Sequence, residues 1–60
     1  MVKVKLFDCE HEKDLEKDMN EFLKNVPEKN IIDIKYEVAA VGEDKNEQVY
    51  CFSAMIIYQK

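Results

Sequence analysis

The sequence predicts an α+β fold, a split β-α-β unit closed by a C-terminal β-hairpin, and three observations carry that reading. Hydrophobic residues alternate at Val2 to Phe7 and at Ile31 to Val41, as half-buried strands require. Between them the period changes to that of a helix. The last segment, Gln48 to Tyr58, is apolar on both faces and therefore belongs in the middle of a sheet. Placing it there makes the first two strands parallel to each other and antiparallel to the third, with the helix as a right-handed crossover and a strand order of 1-3-2.

In the first strand, Val2, Val4 and Leu6 share one face and Lys3, Lys5 and Phe7 the other. From His11 to Asn25, the residues Leu15, Met19, Phe22, Leu23 and Val26 form one narrow stripe along a helix. Asp8 is the expected cap, Glu10, Glu12 and Asp14 suit the positive end of the helix dipole, and Pro27 ends the helix. Like charges recur at i,i+4 in Glu10/Asp14, Glu12/Glu16, Asp14/Asp18 and Lys13/Lys17, each costing about 0.2–0.5 kcal/mol. Such a helix is held by packing its stripe onto a sheet. Its acidic outer face is read as a solvated surface.

The turn Gly42 to Glu47 sets the register of the hairpin. Counted as a six-residue loop, it puts Val38 opposite Cys51, Ile34 opposite Met55 and Ile32 opposite Ile57, with those pairs under the helix. The other face then carries Tyr50, Phe52, Ala54, Ile56 and Tyr58, flanked by Phe7, Lys3 and Lys5 on one side and by Asp33, Lys35 and Glu37 on the other. An odd count exchanges the two sets. In either case one helix covers one face, and the uncovered apolar strip with its charged rim is expected to be a homo-oligomer contact. Phe7, Tyr50, Phe52, Ala54, Ile56 and Tyr58 are the interface residues this register names. The hairpin tip, near Ala39 to Val41 and Val49 to Tyr50, is expected to project beyond the sheet.

The chain of 60 residues is 47% hydrophobic and 37% charged with one Gly and one Pro, which describes a single domain over residues 1–60, ordered almost throughout. At this size a core alone barely offsets the entropy of folding, so self-association is the expected supplement. The net charge is −4, and every basic residue is Lys, which argues against nucleic acid as a partner. No stretch approaches the ~20 apolar residues of a membrane span and no signal sequence precedes the first strand, so a cytoplasmic protein with reduced Cys9 and Cys51 is expected.

The chemistry-bearing residues are few. Asp8-Cys9-Glu10-His11-Glu12 holds the single His and one Cys, yet structural zinc takes four N or S ligands and the chain has three such residues, so no metal is expected. Ser53 lies mid-strand with no basis for pairing with His11 or an acid, and one Gly cannot build a phosphate loop. Neither catalysis nor a cofactor is expected. The alternative is a binding protein for a flat aromatic or flavin-like ligand, held between subunits by Tyr50, Phe52 and Tyr58.

The segments Val2-Lys3-Val4-Lys5-Leu6-Phe7-Asp8, Asp14-Leu15-Glu16, Asn20-Glu21-Phe22-Leu23, Ile31-Ile32-Asp33-Ile34-Lys35-Tyr36 and Ser53-Ala54-Met55-Ile56-Ile57-Tyr58 together resemble the sixty-residue sporulation proteins of endospore-forming bacteria, similar forms of which occur in their phages. The resemblance spans the chain. It implies expression under the early mother-cell sigma factor, a location in the mother cell and an undefined molecular role, and it supplies no catalytic residues.

Overall fold

The computed structural model describes residues 1–44 and 47–60. Strand β1 (Val2–Cys9) leads into helix α1 (Glu12–Leu23), a 3₁₀ turn at Glu28–Asn30 follows, and strands β2 (Ile31–Asp44) and β3 (Glu47–Gln59) form the hairpin. The sheet order is β1-β3-β2 with both pairings antiparallel, which is the predicted topology. The doubly apolar strand takes the centre, where both of its edges are paired and the flanking strands shelter its side chains on either face. The molecule is elongated, 44 × 18 × 11 Å, because the hairpin runs well past the end of β1.

Helix α1 is shorter than its periodicity suggests. Its N-cap is His11, in extended conformation and without a side-chain capping bond. Asp8 does not cap it, because β1 continues two residues beyond Phe7 and keeps Asp8 in the sheet. At the other end the chain tightens: Asn25 N–H donates to the Phe22 carbonyl at 3.1 Å and Val26 N–H to that of Leu23 at 3.3 Å. Pro27 disfavours helical backbone at Val26, so the last turn closes early in i→i−3 fashion. The stripe is confirmed in order: Leu15 is buried, and Met19, Phe22, Leu23 and Val26 are half-buried.

The register of the hairpin differs from the six-residue count. Val38 opposes Phe52, Ile34 opposes Ile56 and Gly42 opposes Gln48, with five residues between Gly42 and Gln48, of which Asp44 and Glu47 pair again. An irregularity between Gly42 and Asp44 places one extra residue on β2, and a second lies between Ile31 and Asp33. Lys45 and Asn46, at the centre of the expected turn, lie outside the described residues. The connection is thus odd, and a one-residue shift turns every side chain of β3 to the other face relative to β2.

The helix settles which face is covered. Phe22 stands edge-on to Phe7 at 6.0 Å between ring centroids and to Tyr58 at 5.2 Å, so Phe7, Ala54, Ile56 and Tyr58 lie on the face beneath α1. Ala54 is 5% exposed and Ile56 fully buried; with Leu15 they form the buried core among the described residues. Aromatic pairs of this geometry add about 0.5–1.5 kcal/mol each beyond the area they bury.

Candidate interaction surface

Opposite the helix, no element among the described residues covers the sheet. Cross-strand pairing arranges that face in rows: Val4, Ile57 and Asp33; Leu6, Met55 and Lys35; Asp8, Ser53 and Glu37. Read along the strands, the β1 column of Val2, Val4 and Leu6 is apolar, and the β2 column alternates in charge. Val4 is 55% and Leu6 63% exposed, whereas Met55 and Ile57 in the centre are half-buried by their neighbours alone.

The register corrects the face on which the residues named from the sequence were expected to lie. Phe7, Ala54, Ile56 and Tyr58 are beneath the helix, and Phe52 and Tyr50 lie on the same side of β3, farther along the hairpin. The odd connection is the physical cause. The residues that take their place, Val4, Leu6, Met55 and Ile57, belong to the set that an odd count turns outward. One signal in β1 points the same way: Phe7 is the residue of that strand large enough to reach Phe22, and it brings Lys3 and Lys5 to the helix side. Lys5 Nζ then sits over the Phe7 ring, 5.8 Å from its centre.

On the helix side, coverage is incomplete. α1 packs over β1 and β3, so Ile34, Tyr36 and Val38 of β2 remain exposed. Where the hairpin outruns the helix, a groove of about 780 Å³ opens between Glu10–Asp14 and Val49, Tyr50 and Phe52. The Tyr50 and Phe52 rings stack there, 6.3 Å apart and inclined by 23°.

The chemistry-bearing side chains are spread over the sheet. Ser53 Oγ donates to Asp8 Oδ1 at 2.9 Å, an acid partner the sequence did not suggest, because the β1–β3 register places the two directly opposite each other. No histidine completes that pair: His11 stands at the start of the helix. Cys9 Sγ donates to Asp18 Oδ2 at 3.6 Å. Desolvation, then the hydrogen bond and charge of Asp18, with Asp14 and Asp8 beyond, raise its thiol above the ordinary range. Cys9 pairs with Phe52 rather than Cys51, so the two thiols point to opposite faces, and both are free. Among the described residues no three His, Cys, Asp or Glu side chains are grouped as a metal ion requires, and no helix is long and apolar enough to cross a membrane.

The fold and this surface define a small β-α-β-β protein with one sheet face partly covered by a helix and the other uncovered among the described residues. The family model described as sporulation protein Cse60 matches residues 1–60, the full chain. The chain is 55% identical over 60 residues to the sporulation protein cse60 of Bacillus subtilis (strain 168), covering 100% of both sequences. It belongs to the Cse60 family of sporulation proteins. No solved structure matches it.

Proposed function

We infer that this chain is a non-enzymatic, self-associating interaction module of the sporulating cell, working in the cytoplasm of the mother cell. The observation that carries the reading is the orientation of β1: Val2, Val4 and Leu6 face away from the helix, while Lys3 and Lys5 share the helix side. In a chain selected to live alone the opposite alternation would be favoured, since each half-exposed Val or Leu forgoes part of the ~1.5–3 kcal/mol that full burial supplies. A contiguous apolar face rimmed by charge is the usual anatomy of a protein contact. Membership of a sporulation family supports the cellular setting, and the resemblance to proteins under the early mother-cell sigma factor supports the compartment. The absence of a histidine from the Ser53–Asp8 pair supports the non-enzymatic part of the reading.

Sedimentation equilibrium across the micromolar range tests this. The expected result is a reversible oligomer whose dissociation constant rises when Leu6 is changed to Lys; a monomer at every concentration overturns it.

A second reading, a carrier of flat ligands, draws on the groove beside the stacked Tyr50 and Phe52. Glu10, Glu12 and Asp14 on its rim favour a neutral or cationic ring system over a phosphorylated flavin. An absorbance spectrum of freshly purified protein separates the two readings: a chromophore beyond the tyrosine band supports the carrier.

A further inference from the structure

The bare face carries enough pattern to specify how a second copy would sit on it, an inference that rests on the self-association reading. The chain exposes 5126 Å², about 1,000 Å² more than the roughly 4,100 Å² expected of a compact 7.1 kDa monomer. A standard interface removes about 800 Å² from each partner, so the excess is of the size one such contact covers.

Two copies meeting face to face in a closed pair are related by a two-fold axis lying in the plane between their sheets. If that axis ran along the strands, β2 of one copy would cover β1 of the other. Asp33 and Lys35 would then be pressed onto Val4 and Leu6, burying charges without counter-charges, and Glu37 would be set against the like charge of Asp8. An axis running across the strands lays β1 on β1, β3 on β3 and β2 on β2, and like chemistry meets like.

The position of that axis along the strands is restricted by charge. An axis through the row of Asp33, Lys35 or Glu37 sets that residue against its own copy, with like charges in contact. An axis between the Lys35 and Glu37 rows pairs those two charges but drives Asp8 onto Leu6 in the adjacent column. Between the Asp33 and Lys35 rows the like charges part and the centre of the contact is apolar: Val4 meets Leu6, Ile57 meets Met55, and Lys35 meets Asp33, each contact occurring twice, while Asp8 is moved one row outward, onto Val2 at the rim. Asp33 is already held in place, its Oδ1 accepting the Ile34 N–H at 2.8 Å.

We propose that a second copy of this chain covers the bare sheet face about a two-fold axis running across the strands between the Met55 and Ile57 rows, pairing Lys35 of each copy with the partner's Asp33. The occupant is therefore the chain itself, and the charges on β2 are the register marks of the dimer. Buried opposite charges at a contact contribute more to the choice of partner and register than to raw affinity, so the pairing is tested by exchange rather than by deletion.

The test compares the native chain with Lys35→Asp, Asp33→Lys and the double exchange, by sedimentation equilibrium in low and moderate salt, each variant first checked for native circular dichroism. Each single change places like charges together at two symmetric points and is expected to raise the dissociation constant at least about tenfold; the double exchange is expected to return it to within about threefold of the native value. A dimer that neither single change weakens, or that the double exchange fails to restore, overturns the proposed axis while leaving self-association standing. A native chain that is monomeric at about 100 µM overturns both. Assembly beyond a dimer overturns the two-fold arrangement alone.

Discussion

Replacing Ile56 by Ala removes three carbons from the most deeply buried large side chain of the protein, beneath α1 and between Lys5 and Ile34 on the flanking strands. At about 0.8 kcal/mol for each buried carbon the transfer loss is roughly 2.4 kcal/mol, and the cavity left under Leu15 and Phe22 brings the total into the range of about 2–5 kcal/mol. A chain of this length has only about 3–9 kcal/mol of stability to lose. The variant should therefore unfold at a much lower urea concentration with an unchanged slope, or fail to fold at all. Its control is one position away. Ile57→Ala makes the same chemical change on the bare face, where the side chain is half-buried, and should cost the isolated chain only about 1 kcal/mol. Urea titrations followed by far-ultraviolet circular dichroism at two protein concentrations distinguish the two: the Ile56 loss is expected at both, while under the self-association we propose the Ile57 loss grows with concentration. Equal losses at both sites, or an Ile56→Ala loss below about 1 kcal/mol, would refute the assignment of the covered face.

Phe22→Leu should cost about 1–3 kcal/mol by removing the edge-on contacts to Phe7 and Tyr58, and a double-mutant cycle with Phe7→Leu should return a coupling of about 0.5–1.5 kcal/mol. Ser53→Ala breaks the 2.9 Å bond to Asp8 on an exposed part of the sheet and should cost no more than about 1.5 kcal/mol in thermal unfolding. Because the Cys9 thiol is raised, less of it is thiolate near neutral pH; Asp18→Asn should accelerate its alkylation at pH 8, read site by site by mass spectrometry. The same shift gives a sign for pH dependence. The folded chain holds the Cys9 proton where the unfolded chain has released it, so this group's contribution is complete below the ordinary thiol range and falls as pH rises through the higher folded value, a trend that Cys9→Ser should flatten in alkaline denaturation.

The topology was legible because one strand, Gln48 to Tyr58, has no polar face, and that alone puts it between the other two. The choice of face was not legible, because it depends on whether an odd or an even number of residues separates the paired ends of the hairpin. A single extra residue in the β2 backbone between Gly42 and Asp44 decides it, and such an irregularity carries no distinctive residue type. Composition gave no warning either: the two candidate faces of β3 are both apolar, so hydrophobicity is nearly indifferent to the exchange. Phe7 was the available clue. It lies on the lysine-bearing face of β1, and a helix stripe containing Phe22 needs a large partner there more than it needs Val4. The position of Asp8 was missed for a related reason, since an acid just before a helical pattern reads as a cap whether or not the strand continues through it.

The irregularity between Gly42 and Asp44 also separates two quantities that a plain hairpin ties together, the number of codons at the tip and the side of the sheet on which each residue is displayed. If the tip gains or loses one residue, the chain can absorb the change by gaining or losing an extra residue on β2, with Ile56 still under the helix and Ile57 still outside. Length variation should accordingly be tolerated at the tip and purged along the paired strands. In this fold the bulge acts as a reading-frame corrector for the sheet.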